Sequence, residues 1–219
     1  MGILLIETSS KKIEFGYAIQ DKVIFKEQLD SNQNADTLVY FIKKSFAKNK
    51  IDFSEVKYTC LSNGPGSFTG LRIGSAIAKG ICFASGNKLI EVPTLDIIAN
   101  KYKSDKKVIS LVFSNTRTLE FYYCEYEFLS GRLKRIADYK IDLIENILQR
   151  SAKFVINENV RENITEKFID KLISVSDDSS IYSMLELAKN YIDENKFSDY
   201  RVSEPYYMKE FILNSPKTI

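Results

Sequence analysis

The sequence predicts an α/β protein in which a β-β-β-α-β unit is repeated, the alternative being one α/β domain with an irregular C-terminal half. Three observations carry that reading. Short apolar runs bounded by polar turns recur from Ile3 to Val92, and segments with helical spacing fall between them. The same order then begins again about 105 residues later, at Val108. The 219 residues suit one large domain or two small lobes. The polar stretch Lys101–Lys107, a hinge or equally a charged turn, marks the expected division into residues 1–103 and 104–219, with the last residues free to pack back on the first lobe.

Each element has its own signal. Ile3–Ile6 is the unbroken apolar run of a buried central strand. Ile13–Ile19 and Val23–Glu27 flank Gln20-Asp21-Lys22 as the arms of a hairpin. Residues 34–48 place Leu38, Phe41, Ile42, Ser45 and Phe46 on one helical face and Tyr40 and Ala47 on the opposite one, so this helix can be covered on two sides. Val56–Ser62 is a strand, Phe68–Ala84 a helix and Leu89–Val92 a strand ended by Pro93. Thr94 is placed to cap a helix reaching about Tyr102. In the second half Val108–Phe113, Leu119–Glu127 and Leu133–Tyr139 read as a meander. Asp142–Arg150 reads as a helix, Phe154–Ile156 as a strand and Ile181–Asn195 as a long helix. Phe121, Tyr122, Tyr123 and Tyr126 alternate along their strand and are expected in sheet core rather than as a base-stacking platform.

Composition excludes several chemistries. The chain has no histidine, so it has no Ser-His-Asp or Cys-His nucleophile, no imidazole base and no His-ligated metal. Residues 1–100 carry 12 basic and 10 acidic groups and the remainder 19 of each, so neither half is a basic arm that holds nucleic acid alone. Cys60, Cys82 and Cys124 form no CxxC pair and sit among apolar neighbours, as buried free thiols of a reducing compartment do. The Met-Gly-Ile-Leu-Leu-Ile-Glu start has no basic flank, and no apolar run approaches the roughly 18 residues of a spanning helix. A cytoplasmic protein without a membrane partner is the expectation.

Glycine carries the most information. Six of the nine glycines lie between residues 64 and 86, in and beyond Asn63-Gly64-Pro65-Gly66-Ser67-Phe68-Thr69-Gly70-Leu71-Arg72-Ile73-Gly74. This loop follows a strand and opens a helix, where Ser67 or Thr69 can cap the free N–H groups and an anion can be held. It is not a P-loop, because no Gly-Lys-Ser/Thr follows. Interior helical glycines cost about 1 kcal/mol each relative to alanine, so packing must compensate. Gly70, Gly74, Ala78 and Cys82 recur every four residues beside a ridge of Ile73, Ile77 and Ile81. That flat row either packs inside the chain or receives a second protein.

The segment Gly64–Gly74, followed by Ala78-Lys79-Gly80, resembles the signature of the bacterial TsaB family, also called YeaZ, whose members take part in tRNA threonylcarbamoyladenosine biosynthesis. Ile6-Glu7-Thr8-Ser9, Val92-Pro93-Thr94-Leu95, Arg117 with Glu120-Phe121-Tyr122, and Glu204-Pro205-Tyr206-Tyr207 extend the resemblance along the chain. It implies the two-lobed actin-like ATPase and Hsp70 fold, ribonuclease H-like, with a mixed sheet in each lobe. It also implies two phosphate turns. The first is Glu7-Thr8-Ser9, where the family usually has Asp at Glu7. The second is Ser114-Asn115, where the family usually has Asp at Asn115 and Gly at Leu119. Both turns are therefore expected to be degenerate, with no catalytic residue, no metal and no cofactor except a nucleotide at a subunit boundary. Asn34 stands near where relatives often carry a His.

The resemblance further implies an accessory, non-catalytic partner of TsaD. That subunit transfers the threonylcarbamoyl group to N6 of the adenosine 3′ of the anticodon in tRNAs reading codons that begin with A. TsaC makes the adenylate; TsaE and tRNA join through the complex. The family associates through helices of the first lobe, which here assigns the docking face to Tyr40, Ala47, Gly70, Ile73, Gly74, Ile77, Ala78 and Ile81, with a homodimer on the same face in isolation. A nucleotide-dependent phosphotransferase of the same fold is the alternative.

Overall fold

A computed structural model describes residues 1–29, 37–158 and 164–208. Asn34 and the first turn expected for residues 34–48 lie outside them. Two mixed sheets form, one per lobe. The first has the order β3-β2-β1-β4-β5, made of β1 (Gly2–Glu7), β2 (Ile13–Ile19), β3 (Lys22–Leu29), β4 (Val56–Ser62) and β5 (Lys88–Val92). β1 pairs antiparallel with β2 and parallel with β4, so it is central and buried on both faces, as its apolar run requires.

Alternation along β1 divides the core into two layers. Leu4 and Ile6 pack with Leu38, Ile42 and Phe46 of α1 (Leu38–Lys48) and with Ala78 and Cys82 of α2 (Phe68–Ser85). Ile3 and Leu5 pack on the other side with Ile97 of α3 (Thr94–Lys101). The Thr94 side chain makes no capping hydrogen bond, because Pro93 holds the N-cap position and Thr94 is already helical.

The second sheet has the order β11-β10-β6-β7-β8, with β9 beside β7. Its strands are β6 (Val108–Asn115), β7 (Glu120–Leu129), β8 (Arg132–Arg135), β9 (Lys140–Leu143), β10 (Lys153–Ile156) and β11 (Leu172–Ser174). Phe121, Tyr123 and Tyr126 are buried in it and Tyr122 half-buried, as core residues. The expected Leu133–Tyr139 strand is cut short at Arg135. The expected Asp142–Arg150 helix shrinks to α4 (Ile144–Ile147), because Lys140–Leu143 pairs with Glu120–Tyr123 instead. Helical spacing survives only where Ile144, Ile147 and Leu148 turn inward. The short α5 (Glu166–Ile169) and β11 carried no signal strong enough to be expected.

The final helix α6 (Ser180–Asp193) returns to the first lobe, burying Ile181, Met184, Leu185, Leu187 and Ala188 against β1, β2, β4 and β5. Ser198 then bridges Leu89 on the free edge of β5. α3 ties the lobes together at both ends. Asp96 accepts hydrogen bonds from Tyr126 (2.7 Å) and Tyr139 (2.8 Å), and Lys101 donates to Asn157 Oδ1 and to the Asp178 carbonyl (2.7 Å).

Candidate functional site

The first turn is built by the glycine motif. β1 ends at Glu7, and the Thr8 N–H donates to Ser62 Oγ at 3.2 Å. The Ser67 N–H donates to the Ser9 carbonyl at 2.7 Å, and the Ser67 hydroxyl caps α2 by accepting from the Gly70 N–H. A Cβ at Gly66 would run into the Ser9 carbonyl oxygen, one at Gly70 into the Thr8 carbonyl oxygen, and one at Gly74 into the Thr8 hydroxyl. The glycines therefore admit the chain's own first turn rather than a phosphate. Ala78 and Cys82 continue the row, fully buried against the sheet. The expectation that Gly70, Gly74 and Ala78 receive a partner is corrected: that row faces inward.

Glu7 does not point away from its turn. Its carboxylate, 2% exposed, accepts from the Ser9 N–H (2.6 Å) and the Ser9 hydroxyl (2.5 Å). Burial raises its pKa above the ordinary carboxylate value, against the lowering effect of the Ser9 bonds. In the second turn the Asn115 side chain accepts from the Arg117 N–H at 3.0 Å, a local closure of the Ser114–Asn115 corner. Leu119 adopts a φ of +52°, a conformation that favours glycine. Among the described residues no group of three or more His, Cys, Asp or Glu is arranged to hold a metal ion.

The C-terminal strap meets the glycine motif. Lys79 donates to the Ser203 carbonyl, the Ser203 hydroxyl to Glu91, and the Tyr206 N–H to the Asn63 carbonyl. Gly64 has a φ of +112°, and a Cβ there would strike the Tyr206 carbonyl oxygen. Two motifs far apart in the sequence thus form one joint.

The outer side of α1 and α2 is different. Tyr40 is 61% exposed, Ala47 is exposed, and Ile73, Ile77 and Ile81 are half-buried. Between the helices runs an apolar groove of about 490 Å³ lined by Val39, Ile42, Lys43, Phe53, Ile77, Gly80, Ile81, Ala84 and Ser85. A second small-residue row, Ala76, Gly80 and Ala84, is exposed along it, and a Cβ at Gly80 would meet nothing within 4 Å. The sequence carries two such rows two positions apart; only knowledge of which side meets the sheet separates them. Phe83, 78% exposed, lies on this outward side.

Comparison with known proteins agrees with this architecture. Residues 28–210 match the family model described as TsaD: tRNA N6-adenosine threonylcarbamoyltransferase. A protein of Buchnera aphidicola from Acyrthosiphon pisum, tRNA threonylcarbamoyladenosine biosynthesis protein TsaB, is 28% identical over 69% of this chain and 64% of its own length. The Buchnera protein from Schizaphis graminum with the same name is 30% identical over 57% of this chain and 60% of its own. Both alignments thus span a little under two thirds of these relatives. The Haemophilus influenzae protein of that name is 21% identical over 94% of this chain and 93% of its own. The solved structure of YeaZ from Pseudomonas aeruginosa, at 16% identity, superposes with a TM-score of 0.77 over 94% of this chain and 99% of its own. The chain belongs to the family that this model describes, and within it to the TsaB (YeaZ) group.

Proposed function

We propose that this chain works in tRNA threonylcarbamoyladenosine biosynthesis as a non-catalytic partner of TsaD, which docks on the groove between α1 and α2. The observation that carries this is the contrast between the two places where a ligand is expected. The first phosphate turn is closed upon Glu7, Ser9 and Ser67, whereas the α1–α2 groove is open, apolar and flanked by exposed Tyr40. An apolar face of this kind calls for another protein. The docking set is Tyr40, Ala47, Ile73, Ile77 and Ile81, to which Val39, Gly80 and Ala84 are added in place of Gly70, Gly74 and Ala78. TsaE and tRNA join through the complex, a nucleotide sits only at the subunit boundary, and the isolated chain pairs with itself on the same face.

Gly80→Leu tests the reading. The added side chain enters open space, so the fold stays intact while the groove is filled. Co-purification with TsaD is expected to fall at least about tenfold, the loss that bulk in an interface core brings. Undiminished complex formation would place TsaD elsewhere. Gly74→Leu is unsuitable, because it would collide with Thr8 and break the first lobe.

A further inference from the structure

We infer that the protein seated on the α1–α2 groove is rimmed by carboxylates, and that a second copy of this chain is the poorer occupant. The inference rests on the docking reading and names the chemistry of its partner. α1 and α2, with 11 and 18 residues, contain Lys43, Lys44, Lys48, Arg72 and Lys79 and not one Asp or Glu, in a chain of 31 basic and 29 acidic residues. Lys43, Lys44, Lys48 and Arg72 are exposed. Among the described residues none of them has a carboxylate within ion-pair distance. Lys43 lines the groove itself, Lys44 lies 6.0 Å from the Tyr40 ring, and Arg72 lies 4.7 Å from the Phe68 ring. Elsewhere some surface cations are answered, Lys103 by Glu186, Arg150 by Glu125, Lys167 by Glu145 and Lys189 by Asp21, while exposed Lys22, Lys50 and Lys57 are not; what sets α1 and α2 apart is that neither helix carries an acidic side chain. At the Phe53 end of the groove, Asp52 and Glu55 are engaged in capping their own turn.

The two halves of the surface do different work. The apolar floor supplies burial to any complementary partner, and the rim decides which partner. A two-fold pairing of this chain sets α1 and α2 against α1 and α2, so their cations meet no carboxylate from those helices of the copy. A carboxylate-bearing rim meets the same cations with attraction. RNA would answer the charges but would leave Ile77 and Ile81 with nothing apolar to cover them.

The test compares two affinities at about 50 and about 500 mM NaCl, where screening lengths differ severalfold. One is for the TsaD subunit of the same organism, by calorimetry; the other is for self-association, by sedimentation. Added salt is expected to weaken TsaD binding about tenfold and to strengthen the homodimer. The triple variant Lys43→Glu/Lys44→Glu/Lys48→Glu, checked for folding by circular dichroism, is expected to lose about tenfold in TsaD affinity at low salt. It should also pair with the parent chain more tightly than either pairs with itself. TsaD affinity indifferent to both salt and charge reversal would overturn the inference while leaving the docking reading standing. No TsaD binding at any salt would overturn both. If the triple variant keeps its TsaD affinity but abolishes retention of tRNA by the lone chain, the cations serve RNA and the inference fails.

Discussion

Glu7 turns its carboxylate onto its own turn. It folds back on Ser9 in a fully buried turn, and burial raises its pKa. A carboxyl group whose folded pKa lies above its unfolded one holds its proton more tightly in the folded chain. Its contribution to stability is complete below the unfolded value, near 4.5, and is lost as pH rises through the folded value. Glu7→Gln keeps an acceptor for both Ser9 donors and carries no charge. Its urea midpoint is expected above that of the parent at neutral pH, with the difference vanishing near pH 4. An equal effect at both pH values would show that desolvation of the carboxylate is not the cause. Some of this site was legible in the sequence: Ser67 as the cap of its helix, and Leu119 standing where the family has glycine. The return of Glu7 to Ser9 was not, because it depends on a turn closed from outside by Ser67.

At the scale of elements, α2 carries the main lesson. One four-residue row of small side chains was legible in the sequence and a second was passed over, and periodicity is blind to which row faces the sheet. The inward row is Gly70, Gly74, Ala78 and Cys82; the outward one is Ala76, Gly80 and Ala84. Their responses to alanine should be opposite. Gly80→Ala gains helix propensity at no steric cost, and is expected to stabilise the isolated chain by about 0.5–1 kcal/mol. Gly74→Ala forces Thr8 aside, and is expected to cost about 1–3 kcal/mol. Thermal melts of the two variants check both signs. The strands of the first lobe were legible because their apolar runs are long and their turns polar. The Asp142–Arg150 helix was misjudged because Ile144, Ile147 and Leu148 fit a helical face over a single turn, while the edge of β7 recruits the residues before them.

On the scale of the whole molecule, two lobes are held in one arrangement by α3. Asp96 crosses the joint to two tyrosine hydroxyls, and burial raises its pKa against the lowering effect of those bonds. Asp96→Ala leaves Tyr126, which is fully buried, without its acceptor and is expected to cost about 2 kcal/mol in urea unfolding. Tyr139, half-buried, can turn to water and should suffer less. A loss no larger than that of an exposed alanine substitution would remove Asp96 from the joint. The repeat in the sequence pointed to both sheets; it could not show that the chain leaves the first lobe, builds the second and comes back. That return through α6 has a consequence for biogenesis. β1 is synthesised long before Ile181–Ala188, and its second face is not fully covered until they arrive. A nascent polypeptide halted in the second half before Ile181 therefore carries an unfinished first-lobe core and is food for chaperones and proteases.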